Sequence, residues 1–169
     1  IAMGWHSPAW APAGATLAVT DGAGRAAWEN KAVKLVPMPP SLPFQSLTPP
    51  DYADREPAWS PDGRFLAFTR SRAEFARMDQ PFPGQHIEVA APDLGRTFET
   101  RGSEGGVAPL WGPGNSLLWV RPDQQTVWYL NRPDEEPVPL IRNIDLTSSY
   151  YGQWPVRRVL DWWRPGPWK

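Results

Sequence analysis

The sequence predicts an all-β protein assembled from repeated units of four short antiparallel strands, and three observations predict it. A short pattern of Pro, Trp, turn and apolar strand recurs along the chain. Its occurrences are evenly spaced. No stretch of the 169 residues carries the apolar period of a helix, and 22 prolines argue against long helices.

The pattern is clearest at Pro57-Ala58-Trp59-Ser60-Pro61-Asp62-Gly63-Arg64-Phe65-Leu66-Ala67-Phe68-Thr69. Pro61 sets φ for the start of a turn, Asp62 can bond its own backbone, and Gly63 tolerates positive φ. Such a turn between two apolar segments is hairpin chemistry. Residues 8–20 repeat the pattern with Pro12 and Gly14, and residues 109–121 repeat it with Pro113, Gly114 and Asn115. Asn is the next best residue at positive φ. A further copy starts at Trp163-Arg164-Pro165-Gly166. The strand after each turn is almost continuously apolar (Leu17-Ala18-Val19, Phe65–Phe68, Leu117–Val120), as suits a strand covered on both faces. Trp10, Trp59, Trp111 and Trp163 lie 49, 52 and 52 residues apart. A fixed period of roughly 40–50 residues, each unit made of short strands, is the signature of β-propeller blades. The repeated Trp would fill the space between blades, each hiding on the order of 150–250 Å².

Pro-x-Trp-Ser-Pro-Asp-Gly-x-x-Leu-Ala-Phe, carried by Pro57–Phe68, resembles the WD-like repeat of TolB-type β-propellers. A similar repeat occurs in the propeller domains of prolyl-oligopeptidase-type peptidases. Residues 8–20 and 109–121 match it at the Trp, Pro and hydrophobic positions without the full Ser-Pro-Asp-Gly, so their turns are expected to differ. The resemblance implies a partial β-propeller of four-stranded antiparallel blades and an extracytoplasmic (periplasmic or extracellular) home. It carries little about function, because propellers host many unrelated roles.

Taken in order, the chain is read as one propeller segment, 1–169, with blades at about 5–50, 54–102 and 106–155 and the start of a further blade at 156–169. Thr20–Arg25 is a turn, and Ala32–Val36 a strand. The Pro-rich stretch from Pro37 to Pro50 reads as a stiff loop into the next blade, with a PxxP ligand as the alternative. After 57–70, Ser71–Pro83 is expected to be a loop with one helical turn. His86–Ala90 is a strand, Pro92–Gly95 a turn and Arg96–Thr100 a strand. Gly102-Ser103-Glu104-Gly105-Gly106 reads as flexible. It lacks the Gly-Lys-Ser/Thr of a phosphate loop. Leu117–Arg121, Thr126–Leu130 and Val138–Ile141 are the later strands, with a turn near Asn131–Pro137. Ile144–Trp154 is an aromatic polar segment.

Three blades and a fragment do not close a ring, since rings usually need four to eight. The expected resolutions are a longer propeller, pairing with a second copy, or cover from another subunit. Composition excludes other classes. A net charge of −1 offers no field for nucleic acid or anionic membranes. With no cysteine there are no disulfides or thiolate metal sites. No apolar run reaches the ~18–20 residues of a membrane span. Ile1 is not a natural initiator, so the N-terminus is expected to be processed, engineered or incomplete.

Candidate chemistry is sparse. His6 and His86 occupy non-equivalent blade positions and are read as structural or exposed, since a metal site needs more ligands at useful spacing. No Gly-x-Ser-x-Gly elbow is present. Asp51/Asp54 and Glu135/Glu136 are read as solvated loop charges, the sharper alternatives being an acid/base pair or a cation site. Trp119 and Trp128 are assigned to the core between blades. Tyr150, Tyr151, Trp154 and Trp162 are the candidate partner-binding residues, because aromatic-rich loops suit protein interfaces. The expected function is a non-enzymatic protein-binding or scaffolding module, with no cofactor and no metal. The alternatives are an accessory, substrate-gating propeller of a prolyl-oligopeptidase-like hydrolase, or a carbohydrate-binding module.

Overall fold

The computed structural model describes residues 5–22, 31–40, 43–75 and 84–144. They form three four-stranded antiparallel sheets, each a meander whose strand order follows the chain. The first holds β1 (His6–Trp10), β2 (Thr16–Asp21), β3 (Ala32–Pro37) and β4 (Gln45–Ser46). The second holds β5 (Tyr52–Trp59), β6 (Leu66–Arg72), β7 (His86–Ala91) and β8 (Arg96–Glu99). The third holds β9 (Val107–Trp111), β10 (Leu117–Arg121), β11 (Thr126–Leu130) and β12 (Val138–Ile141). This is the all-β, partial-propeller architecture that the repeats predict. Residues 156–169, read as a further blade, lie outside the described residues.

Turn chemistry sets the first hairpin of each sheet. The Asp62 carboxylate accepts from the Arg64 backbone N–H at 3.0 Å and from the Ser60 hydroxyl at 2.7 Å. The Ser60 hydroxyl in turn accepts from the Phe65 N–H at 3.0 Å. Gly63 sits at φ +73°, like Gly14 in the first sheet. The first turn thus keeps this geometry without Ser-Pro-Asp-Gly, against expectation, and only the third differs: Pro113–Asn115 forms a short 3-10 turn with Gly114 at φ +65° and Asn115 at φ +62°.

The first strand of every sheet carries the same kink. Ser7, Glu56 and Ala108, each three residues before the repeated Trp, lie at φ +50°, +58° and +53°. Non-glycine residues rarely sit there. In each case the strand pairing shifts register at this point, the mark of a β-bulge. The bulge turns a backbone N–H toward the preceding sheet. Glu56 N donates to Thr20 Oγ1 at 3.3 Å, and Ala108 N to Thr69 Oγ1 at 3.0 Å.

The core lies between sheets. Ala18, Val33 and Leu35 of the first sheet meet Leu66, Phe68 and Ala90 of the second. Ala58, Ala67, Ile87 and Val89 then meet Trp111, Leu117, Trp119 and Leu130 of the third. Small residues on one face receive large ones from the next, which is how side chains reach interior packing density. The apolar run at β6 is buried and covered on both sides, and burial continues through Thr69, Arg70 and Ser71. The repeated Trp stitches the sheets as well as filling them. Trp59 Nε1 donates to the Ala9 carbonyl at 3.2 Å, and Trp111 Nε1 to the Ala58 carbonyl at 2.9 Å. Trp10 departs from the expected filler role, since it is 56% exposed with no sheet before it among the described residues.

Three readings of the sequence need correction. The Pro-rich loop 37–50 contains the short strand β4. Asp54 is not a solvated loop charge: it lies on β5 and is fully buried. The Arg70 guanidinium holds it through two bonds, at 2.9 and 2.7 Å, and reaches Glu88 at 2.9 Å. The same guanidinium sits near the Tyr52 and Phe68 rings and donates to the Leu47 carbonyl at 3.3 Å. Thr48 completes the knot, donating to Asp54 at 2.8 Å and accepting from Val33 N at 2.8 Å. The knot thereby ties the exit of the first sheet to the second. Burial favours the neutral Asp54 carboxyl, opposed by Arg70 and Thr48. Desolvation also acts against the Arg70 charge, but the two carboxylates outweigh it and raise its pKa.

The third correction is the glycine-rich segment, which is packed tightly. Ser103 is fully buried and its hydroxyl accepts from Ile87 N at 2.9 Å. Gly105 N donates to the Gln85 carbonyl and Gly106 N to the Ser103 carbonyl, both at 2.7 Å. A Cβ on Gly106 would lie 2.6 Å from the Ser103 carbonyl oxygen and 2.7 Å from Trp119 Cδ1. Backbone and a buried indole cannot both yield. Gly106→Ala is therefore expected to lower stability by about 1–3 kcal/mol, read as a lower urea midpoint at unchanged slope. An unchanged midpoint would show that the segment is not packed this way.

Candidate binding site

Where the second and third sheets meet, their turns leave a groove of about 330 Å³. Phe65, Val89, Phe98, Trp111, Leu117 and Leu130 supply its apolar walls. Phe65 arrives there because the Ser60–Phe65 turn delivers it to the start of β6. Its ring stacks on Trp111 at 6.3 Å between centroids and 24° between planes. The two hairpin turns are joined across the groove's end, with Asn115 Nδ2 donating to Asp62 Oδ2 at 2.6 Å. Phe98 forms the outer lip, well exposed on a strand whose four residues all face solvent.

Both arginines that line the groove are paired: Arg101 bonds Glu136, and Arg132 lies 3.8 Å from Glu135. Glu135 and Glu136 thus sit on separate arginines. One polar group is left over. Thr100 follows β8 and lines the groove, is 5% exposed, and its hydroxyl has no hydrogen-bond partner. A buried hydroxyl without a partner is costly and calls for an explanation. The groove can hold an apolar group, while the Thr100 oxygen beside it is closed off from solvent.

A second polar cluster gathers where β1, β2 and β5 meet. Burial lowers the His6 pKa, and the nearby Lys31 lowers it further. Burial also lowers Lys31 and Arg55, with Asp21 and Glu56 opposing. Arg55 donates to Gln85 at 3.1 Å and Gln85 to the Gly105 carbonyl at 3.3 Å, so the cluster ties β5 to later loops. His86 lies apart on β7. Burial works against its charge, but its bond to Glu88 at 3.3 Å and the nearby Glu99 raise its pKa. Among the described residues no group of three or more His, Cys, Asp or Glu is arranged to hold a metal.

Trp119 is buried in the core as expected, and Trp128 packs partly against it. Tyr150, Tyr151, Trp154 and Trp162 lie outside the described residues. The groove is not legible in the sequence because its residues come from five strands and the turns between them. One signal was available: Phe98 is a lone aromatic in the polar strand Arg96–Glu99.

No protein-family model matches the sequence, and no match is found among curated proteins. Solved structures share the fold. A candidate TolB from Agrobacterium tumefaciens aligns with 81% of this chain and 48% of its own, at TM-score 0.59 and 19% identity. A puromycin-hydrolyzing peptidase from Mycobacterium tuberculosis aligns with 82% of this chain and 22% of its own, at TM-score 0.60 and 22% identity. The β-propeller domain of the Trilobed protease from Pyrococcus furiosus aligns with 81% of this chain and 43% of its own, at TM-score 0.51 and 16% identity. The chain thus spans less than half the length of each. At these identities the likeness establishes the fold alone, part of a β-propeller, as the Trp-Ser-Pro-Asp-Gly repeat implied.

Proposed function

We propose that this chain is a non-enzymatic recognition module of a larger β-propeller. In this reading it captures a protein segment by seating a Tyr or Trp side chain in the groove between the second and third sheets. The observation that carries this is the apolar groove walled by Phe65, Phe98, Trp111 and Leu130, with Phe98 exposed at its lip. An aromatic ring fills such a groove while its polar tip stays in water, and such residues dominate protein interfaces. An extracytoplasmic home goes with the TolB-type likeness and belongs to the same proposal. The carbohydrate-binding alternative is less favoured. Sugars stack on open aromatic faces, whereas Trp111 is 8% exposed and covered by Phe65. The peptidase likeness supports the accessory-propeller alternative, in which the parent polypeptide also carries a Ser-nucleophile domain.

The test is chemical-shift titration of the chain with the N-acetyl amides of Tyr, Trp, Phe and Leu. Tyr and Trp amides should perturb Phe98 and Leu130 most. Phe98→Asp should abolish the response. Perturbation confined to other surfaces, or none, would overturn the proposal.

A further inference from the structure

We infer that His86 is held as the doubly protonated imidazolium and clasps the Gly84–Gln85 segment to the buried Asp54–Arg70–Glu88 knot, so that the joint between the second and third sheets loosens when the ring loses its proton. The inference rests on what faces the ring. Nδ1 lies 3.2 Å from the Gly84 carbonyl oxygen, and Nε2 lies 3.3 Å from Glu88 Oε2. A carbonyl oxygen only accepts. Glu88 Oε2 only accepts as well, because Arg70 donates to Oε1 at 2.9 Å and keeps the carboxylate ionised. A neutral imidazole carries one N–H and serves only one of the two acceptors, whereas the imidazolium serves both.

The surrounding charges agree with this geometry. Arg70 stands opposite His86 across β6 and β7, but Asp54 and Glu88 share its one positive charge. The knot alone is one cation short, and Glu99 on β8, opposite Glu88, adds a further carboxylate. Burial works against the His86 charge, and Glu88, Glu99 and the Gly84 carbonyl outweigh it. The segment that the ring holds is a bridge between sheets. Gln85 is 2% exposed, its carbonyl accepts from Gly105 N at 2.7 Å, and its side chain donates to the Gly105 carbonyl at 3.3 Å. Arg55 donates to the oxygen of that side chain at 3.1 Å. With the ring neutral, either the Gly84 carbonyl or Glu88 loses its donor, and the bridge is held less firmly to the knot.

A proton bound more tightly in the folded chain adds stability that is complete below the unfolded value of about 6.5 and is lost as pH rises through the folded one. Imidazole nitrogen spectra of the full chain, which has two histidines, read this directly. His86 should titrate above about 6.5 and still carry both protons near neutral pH. Amide exchange at Gly105, corrected for its intrinsic pH dependence, should quicken across the same midpoint. The expected gain is about tenfold for each unit by which the midpoint exceeds the ordinary value. His86→Gln cannot change charge and should exchange at the fast rate at every pH, with an unchanged far-UV spectrum. Glu88→Gln should return the His86 midpoint to about 6.5 or below. A parent midpoint at or below the ordinary value would overturn the inference, as would one indifferent to Glu88→Gln. So would Gly105 exchange that ignores the midpoint, or a pH step that survives in His86→Gln.

Discussion

Arg70→Ala is expected to lower the stability of the fold by about 3–5 kcal/mol, the cost of breaking a buried ion pair by removing one partner. Asp54 is fully buried and Glu88 nearly so, and Arg70 bonds both. Without it two desolvated carboxylates face each other with no guanidinium between them. The loss would also free the Leu47 carbonyl and the cation that lies beside the Tyr52 and Phe68 rings. Against a total domain stability of roughly 5–15 kcal/mol, this brings the variant close to unfolding. Arg70→Lys should fall between the two, since it keeps a charge but cannot make the two-bond fork on Asp54.

The variant should also show a stronger pH response. Burial already raises the Asp54 pKa against Arg70 and Thr48, and without Arg70 only Thr48 still opposes it, whereas Glu88 keeps its bonds to His86 and Thr97. The folded Asp54 pKa would sit further above the unfolded one. A raised carboxyl pKa destabilises at high pH, because folding then takes up protons. The deficit is full at neutral pH and shrinks as pH falls through the raised value. Urea denaturation of both proteins across that range checks this. A deficit that is small, or constant with pH, would mean the knot is not held by charge.

The sequence made the sheets legible because propeller blades depend on local signals. Pro61-Asp62-Gly63 announces its turn, and the apolar run of Leu66–Phe68 announces a strand covered on both sides. The knot was illegible for a physical reason. Asp54 and Arg70 are 16 residues apart, and nothing in either neighbourhood shows that antiparallel pairing sets them side by side. Polar sequence around Asp54 reads as loop until its partner is known. The bulges at Ser7, Glu56 and Ala108 were equally hidden, because three different residue types share one backbone conformation. At Glu56 and Ala108 it points the backbone N–H at a hydroxyl of the preceding sheet, a partner that only the fold supplies. The groove shares this character: it exists only after two blades have packed.

Trp111→Ala is the second large expected effect, at about 3–5 kcal/mol for emptying a buried aromatic site. Trp111 stands at the joint of the second and third sheets, against Ala58 and Ala67 and under Phe65. Alanine would leave a cavity there and strand the Ala58 carbonyl. Trp111→Phe separates the two contributions. It restores most of the volume and leaves the carbonyl unpaired, so it should cost about 1–3 kcal/mol. Trp10→Ala provides the contrast, because the same residue in the same repeat position is mostly exposed. It should lie within about 0.5 kcal/mol of the parent. Urea midpoints of the three variants decide the matter. If Trp10→Ala cost as much as Trp111→Ala, the repeated Trp would be stabilising its own sheet. If Trp111→Ala alone is severe, the Trp acts between sheets, and each blade depends on the one before it for the acceptor that holds it.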